Sequence, residues 1–124
     1  MKDYLLVFLG GGLGATARYW MSAAVYRWLP TDFPYGNLVV NILGCFLIGL
    51  LMATSEERFL IQPSLRVFLA IGILGGFTTF SSFSYETVSL LRDRELFLAS
   101  VNVLSTVLGC LSATVVGIVA GKLL

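Results

Sequence analysis

Residues Gly75–Ser84, GGFTTFSSFS, lie in the middle of a long apolar run and decide how the chain folds. Two glycines open the stretch, phenylalanines recur at every third position after them, and hydroxyl side chains fill the gaps. A glycine pair halfway along an apolar helix favours an interruption. Interrupted backbone at membrane depth persists only where protein surrounds it or where it lines a wet cavity. The stretch therefore predicts a helix broken near Gly75–Thr79, with aromatic and hydroxyl groups after the break.

The composition predicts a protein that is solvated by lipid. Of the 124 residues, 57% are hydrophobic and 12% are charged, too few charges to cover a soluble domain of this length. The net charge of +1 does not indicate nucleic acid as a partner. Because the chain lacks histidine and offers no catalytic carboxylate pair or Cys–His pair, we do not expect an enzyme.

Four apolar runs are each about the ~20 residues that a helix needs to cross the hydrocarbon. Short polar or proline-marked connections separate them. Since backbone polar groups find no water in the bilayer, the spanning runs are expected to be α-helices. We therefore predict an all-α membrane protein, with residues 1–124 as a single four-helix transmembrane domain. The four spans cover about residues 4–29, 35–54, 65–91 and 96–121.

The first run admits two other interpretations. Gly12, Gly14 and Ala17 match the dinucleotide-binding pattern G-x-G-x-x-A, but that motif needs a soluble βαβ unit, for which three further spans leave no room. Lys2 and the stretch Ala15–Ala17 would suit a signal peptide with its cleavage site. The apolar run continues well past that point, which favours a retained span.

Cys45 and Cys110 lie inside apolar runs without metal-ligand spacing. They are interpreted as small buried thiols, and a disulfide between them stays open. Glycine pairs at four-residue spacing occur in three spans and let helix backbones approach closely. Such pairs serve packing within one subunit or self-association. Self-association is expected, because four helices can hardly enclose a polar path alone. The pairs are Gly10 and Gly14, Gly72 and Gly76, and Gly117 and Gly121.

The positive charges give almost no preferred orientation. Four fall on the side of the termini and three on the other, and orientation follows the Lys/Arg excess in short loops. We therefore predict insertion in both orientations and an antiparallel homodimer; a weakly biased single orientation is the alternative. The first side carries Lys2, Arg58, Arg66 and Lys122, and the other carries Arg27, Arg92 and Arg94.

Three polar side chains inside the spans need a reason, because charges at membrane depth are costly. Arg18 is a fixed positive charge that favours anions, or else it snorkels to an interface or pairs with Glu86. Glu86 suits an ion site or a structural acceptor. Asn41 offers two N–H donors that could replace water around an anion, or a helix–helix hydrogen bond.

The phenylalanine stripe after the break also has two interpretations. Phe77, Phe80 and Phe83 would share one flank of a helix, with Ser81 and Ser84 on the adjoining flank. Aromatic rings have a positive edge, so rings presented edge-on would contact a small anion weakly, as conduction requires. Lipid contact or core packing is the ordinary role of such a stripe, but it would not need the interleaved hydroxyls.

Three motifs resemble one family, the small dual-topology fluoride channels called Fluc or CrcB. They are GGLGATARYW in the first span, GNLVVNILG in the second and GGFTTFSSFSYET in the third, and the resemblance covers essentially the whole chain. It implies an antiparallel homodimer in a prokaryotic plasma (inner) membrane, with two fluoride pores that are each built from both subunits. It also implies passive export of fluoride, which relieves fluoride toxicity.

The resemblance further implies roles for individual residues. Phe80 and Phe83 would line the fluoride path with their ring edges, and Asn41 is the pore asparagine. The other path residues are the vestibule arginine, the carboxylate after the phenylalanines and two hydroxyls: Arg18, Glu86, Ser81 and Thr114. Backbone carbonyls of Gly75 and Thr78, from both subunits, would hold a structural Na⁺ that is not transported.

Two positions depart from the family pattern, and two other functions compete. Cys110 stands where members carry a serine, and Asn37 stands where a threonine is common. A proton-coupled exporter of the small multidrug resistance type would need a carboxylate in the first span, which has no acid beyond Asp3. A non-transporting membrane scaffold protein would need neither the polar track nor the broken helix.

Overall fold

The computed structural model describes residues 1–58 and 61–124, and all regular structure in this part of the chain is helical. Helix α1 covers Lys2–Val25, α2 covers Tyr35–Arg58 and α6 covers Leu96–Leu123. Part of the predicted second loop lies outside the described residues. Helix α1 ends one turn before the predicted limit, because Tyr26 to Leu29 form turns.

The third apolar run is built from four pieces. It begins with α3 at Pro63–Arg66 and continues as an eight-residue π-helix at Val67–Leu74. Helix α4 at Gly75–Phe77 follows, and α5 at Phe80–Arg92 comes after an interruption of two residues. The sequence did not predict the π-helix.

The interruption lies within the predicted range but is not made by the glycines. Gly75 has φ −62° and ψ −37°, which is ordinary helical geometry. Thr78 and Thr79 are the extended residues, with ψ angles of 155° and 112°. β-Branched threonines adopt extended backbone readily, so the threonine pair, not the glycine pair, breaks the helix.

Within residues 1–58 and 61–124, three segments are long and apolar enough to cross a membrane: Tyr35–Glu56, Pro63–Arg92 and Leu96–Leu123. Helix α1 is not among them, although its 24 residues would extend about 36 Å at 1.5 Å per residue. Its middle contains Arg18 and a run of glycines, which lower its hydropathy. The chain is thus a multi-pass membrane protein with three such spans by length and composition.

The helices pack as two pairs. Helix α1 lies against the π-helix and α4, and α2 lies against α6. Glycines allow the first approach: a Cβ atom on Gly10 would lie 2.9 Å from the Gly72 Cα atom, and one on Gly76 would lie 3.0 Å from the Gly11 Cα atom. The paired glycines therefore act within one subunit.

The second pair of helices uses the same device. A Cβ atom on Gly117 would lie 2.9 Å from the Leu50 backbone nitrogen, and one on Gly121 would lie 2.6 Å from the Ala53 Cβ atom. Close backbone approach is the usual way in which helices associate in lipid. Packing within one subunit therefore explains the spacing of these glycines, and self-association is not needed to account for it.

Burial is distributed as expected for a protein in lipid. Many large apolar side chains are exposed, whereas several polar side chains are buried, including Asn41, Asn102 and Thr106. Every buried side-chain nitrogen or oxygen in the part of the chain that the structure describes has a hydrogen-bond partner. The apolar exterior suits lipid or another apolar protein surface, and the interior is partly polar.

Helix α5 ends in a Schellman motif formed without glycine. The Glu95 N–H donates to the Leu90 carbonyl at 2.8 Å, and the Arg94 N–H donates to the Leu91 carbonyl at 3.1 Å. Arg94 takes φ 61°, the left-handed conformation that glycine usually supplies.

We expect Arg94→Gly to stabilise the protein by about 1 kcal/mol, since it relieves left-handed strain at a position that glycine adopts freely. Arg94→Ala is the matched control, because it removes the same charge and keeps the strain. The midpoint of thermal unfolding in detergent measures both. Equal midpoints for the two variants would contradict the prediction.

We expect Gly14→Ala to destabilise the protein by about 1–3 kcal/mol, because overpacking forces backbones apart. The new Cβ atom would overlap the Ile73 carbonyl and lie 2.9 Å from the Phe77 nitrogen. Gly12→Ala is the control on the same helix, since nothing lies within 4 Å of a Cβ atom there. A thermal midpoint lowered as much by Gly12→Ala would refute the close-packing explanation.

Candidate functional site

The centre of the site is the break at Thr78–Thr79, which Asn41 of α2 holds open. The Thr79 N–H donates to Asn41 Oδ1 at 2.8 Å, and Asn41 Nδ2 donates to the Thr79 carbonyl at 3.1 Å. The two bonds fix the orientation of the amide, because the N–H group needs an oxygen and the carbonyl needs a donor. Asn41 is buried, where water cannot serve as a partner. Its side chain therefore supplies the hydrogen bonds that the Thr79 N–H and carbonyl groups would make in a continuous helix.

The break releases two carbonyls that were predicted to bind a cation. In an uninterrupted α-helix, Gly75 would accept from the Thr79 N–H and Thr78 from the Ser82 N–H. Here the Thr79 N–H donates to Asn41, and the Ser82 N–H donates to Thr79 Oγ1 at 3.2 Å. The Gly75 and Thr78 carbonyls thus lose their helical donors. Carbonyl oxygens are suitable ligands for a hard cation, so these residues fit a Na⁺ site.

Arg18 of α1 contacts the same break. Its Nε–H donates to the Gly76 carbonyl at 3.2 Å, and the side chain is half-buried. Gly76 would otherwise accept from the Phe80 N–H across the interruption. Arg18 therefore caps the end of α4 and brings a positive charge to the break, whereas the predicted alternative partner, Glu86, accepts from Asn37.

Helix α5 begins at the break with a cluster of hydroxyls. Thr79 is its N-cap, and the Thr79 hydroxyl lies 3.3 Å from that of Ser81 and 3.1 Å from that of Ser82. The N-terminus of a helix carries a partial positive charge and unpaired N–H groups. Ser81 is exposed at this end. The start of α5 is therefore favourable for an anion.

The phenylalanines do not form one continuous stripe. Phe77 precedes the break and is 5% exposed, whereas Phe80 follows it and is 71% exposed. Phe80 and Phe83 pack against each other, with ring centroids 5.4 Å apart and planes inclined by 34°. The two rings predicted to line the path thus lie together after the break, with Phe80 exposed and Phe83 half-buried, and Phe77 belongs to the core.

Glu86 lies further along α5 and is also bound by an asparagine. Asn37 Nδ2 donates to Glu86 Oε1 at 2.8 Å. Asn37 precedes Asn41 by four residues, so both lie on one face of α2. The amide at position 37 therefore supplies a donor that reaches the carboxylate. Asn37, Ser81, Tyr85 and Glu86 line one open cavity of about 470 Å³.

Thr114 lies at the contact of α2 with α6. Its hydroxyl donates to the Cys45 carbonyl at 3.2 Å and to the Cys110 carbonyl at 3.1 Å. Both cysteines are free thiols. Within one subunit the Thr114 hydroxyl hydrogen is thus engaged by backbone carbonyls, and Thr114 shares no described hydrogen bond with the residues around the break.

Sequence reasoning missed Asn102, Thr87 and Thr106, which form a hydrogen-bonded group between α5 and α6. Asn102 Nδ2 donates to Thr87 Oγ1 at 2.9 Å, and Thr106 Oγ1 donates to Asn102 Oδ1 at 3.4 Å. The signal was present: Asn102 is the one amide inside the fourth apolar run. With Asn37 and Asn41 it completes the chain's three asparagines, and all three bind α5 or its N-cap.

Comparison with known proteins shows similarity over nearly the full length. Residues 5–118 match the family described as CrcB-like protein, Camphor Resistance (CrcB). A relative from Geotalea daltonii, named Fluoride-specific ion channel FluC, is 53% identical over 122 residues, which are 98% of each chain. A protein of the same name from Geotalea uraniireducens is 49% identical over the whole of both chains. Another, from Anaeromyxobacter dehalogenans, is 50% identical over 91% of this chain and 90% of the relative.

The match covers all four apolar runs, the break and every side chain described around it. Identity close to one half across the full length of both chains exceeds what the shared apolar composition of membrane helices produces. The chain therefore belongs to the CrcB family of membrane proteins.

Proposed function

We propose that the chain is a fluoride-specific ion channel that exports cytoplasmic fluoride passively and so relieves fluoride toxicity. Relatives close to half identical over the full length carry that name. Fluoride enters a cell as neutral HF and is trapped as the anion near neutral pH. An inside-negative potential then drives it outward, by about 2.3 kcal/mol per charge per 100 mV. No covalent step is needed.

The observation that carries the proposal is the break at Thr78–Thr79, which produces an anion-favouring helix start beside two phenylalanine rings. The hydroxyls of Thr79 and Ser81 lie at the N-terminus of α5, beside the packed rings of Phe80 and Phe83. Ring edges are weakly positive, so fluoride would be held loosely enough to leave. Arg18 contributes positive charge at the same break.

The assembly we propose is an antiparallel homodimer in which each subunit spans the membrane four times. Helix α1 crosses it in addition to the three apolar segments named above. Phe80 and Tyr85 of α5 are 71% and 69% exposed, so the path lies at the surface of one subunit. A second subunit would enclose it, and two-fold symmetry would then generate two pores. The near balance of four positive charges against three supports insertion in both orientations.

Within this dimer, the released carbonyls of Gly75 and Thr78 would bind a structural Na⁺ that is not transported. Gly75 is exposed on its subunit, where a second copy could approach. Na⁺ bound there would supply positive charge between the carbonyl dipoles of two subunits. Asn41, Glu86 and Thr114 remain candidates for the path, Asn41 through its second N–H and Glu86 at the open cavity.

The two competing functions explain less of the geometry. A proton-coupled exporter needs a carboxylate in the first span, and the acidic residue of α1 is Asp3, in its first turn. A scaffold protein would not need a buried asparagine that holds a helix open. Helix interruptions in membranes are otherwise associated with ion and substrate sites.

We expect Phe80→Ile and Phe83→Ile each to reduce fluoride efflux from proteoliposomes by at least about tenfold, because both keep an apolar side chain and remove the ring edge. Phe97→Ile is the control, since Phe97 is 78% exposed at the start of α6, away from the break. A fluoride electrode measures efflux, with chloride efflux measured in parallel. Full fluoride efflux from both variants would refute the ring-edge role.

We expect fluoride efflux to fall at least about tenfold when Na⁺ is replaced by N-methylglucamine on both sides of the membrane, because the carbonyls at the break lose their cation. Re-addition of Na⁺ should restore efflux. Potassium at the same concentration is the control for ionic strength. Undiminished efflux after exhaustive removal of Na⁺ would refute the cation site and leave the fluoride path itself unchallenged.

A further inference from the structure

Asn102 is the most deeply buried polar residue among those described, and the fluoride path described above does not use it. It is 2% exposed, within an apolar stretch of α6, and with Val40 it is one of the two largest fully buried side chains among the described residues. An amide buried in this way destabilises a protein unless its hydrogen bonds are made. Its partners therefore indicate why it is there.

The hydrogen bonds of Asn102 run in a single direction toward Phe83. Thr106 donates to Asn102 Oδ1, Asn102 Nδ2 donates to Thr87 Oγ1 at 2.9 Å, and Thr87 Oγ1 donates to the Phe83 carbonyl at 2.8 Å. Because the one Thr87 hydroxyl hydrogen goes to Phe83, Thr87 must accept from the nitrogen of Asn102, which fixes the amide orientation. Aligned donors of this kind polarise one another.

Helix α5 depends strongly on such bonds because none of its side chains is fully buried, and its inner side chains are only half-buried. Three amides connect it to the rest of the subunit: Asn41 at its N-cap, Asn37 at Glu86 and Asn102 at Thr87. Asn37 and Asn41 come from α2, and Asn102 alone comes from α6. The rotation of α5 about its axis is therefore set from two sides, and Asn102 supplies the second.

We propose that Asn102 is a positioning residue that, through Thr87, sets the rotation of α5 and thereby the direction of the Phe83 ring. This inference rests on the proposed role of Phe83 in the fluoride path. A threonine hydroxyl bonded to the carbonyl four residues earlier bends a helix locally. Loss of the Asn102 bond would free Thr87 to rotate away from the Phe83 carbonyl, and the turn of α5 that carries Phe83 would change its geometry.

The test compares variants in fluoride efflux from proteoliposomes. We expect Thr87→Val, which keeps the shape and removes the hydroxyl, to reduce efflux about tenfold, as expected for one lost buried hydrogen bond. Thr87→Ser should restore most of the efflux. Asn102→Leu should match Thr87→Val, and the double variant should be no worse than either, because both act through one bond.

Ser105→Ala is the matched control on the same helix. Its hydroxyl donates to the Asn102 backbone carbonyl at 3.4 Å, outside the chain of bonds that ends at Phe83, so efflux should stay unchanged. If Asn102→Leu fails to fold, the contrast between Thr87→Val and Thr87→Ser decides. Equal efflux from those two variants would overturn the proposal.

A second measurement separates this inference from the fluoride path itself. 4-Fluorophenylalanine at position 83 gives a ¹⁹F resonance that reports the ring's surroundings in fluoride-free buffer. We expect Thr87→Val and Asn102→Leu to shift or split that resonance, and Thr87→Ser and Ser105→Ala to leave it in place. An unmoved resonance overturns the positioning role. A moved resonance with undiminished efflux from Phe83→Ile keeps the positioning role and refutes the path.

Discussion

The constraint on which the structure depends is the need of every backbone polar group for a partner where no water is present. A helix meets this need by itself, and the extended pair Thr78–Thr79 does not. Asn41 resolves the conflict by giving Thr79 an acceptor and a donor from one side chain. Because an amide imitates a peptide group, a single residue of α2 can stabilise an interruption in the third span.

Two kinds of contact then divide the subunit. The first half of the third span is fixed by close backbone approach, with Gly72 and Gly76 against α1. The second half, α5, has no fully buried side chain and is held by hydrogen bonds from asparagine side chains. Backbone approach is rigid, whereas a helix attached by a few hydrogen bonds responds to each of them. Residues that orient α5 therefore influence the positions of the Phe80 and Phe83 rings even where they do not contact those rings.

The sequence predicted the helical class, the apolar runs and the place of the break, because those depend on local hydropathy and on GGFTTFSSFS. It misassigned the cause of the break, since both glycine and threonine suit an interruption and only packing shows that Gly76 serves the approach to α1. It also missed the π-helix and the role of Asn102, which depend on contacts between distant residues. From the sequence, Asn41 could either donate to an anion or form a hydrogen bond between helices. Its two bonds to Thr79 show that it has the structural role.

The same break favours ions of opposite charge on its two sides, as the proposed Na⁺ and fluoride sites require. On its α4 side it leaves carbonyls without helical donors, at Gly75 and again at Thr78, which favours a cation. On its α5 side it leaves N–H groups at a positive helix end, which favours an anion. Neither site requires an acidic or basic residue as its main ligand. A neutral pair of sites suits a channel for a strongly hydrated anion, because weak dipoles replace water around the ion without holding it as a full charge would.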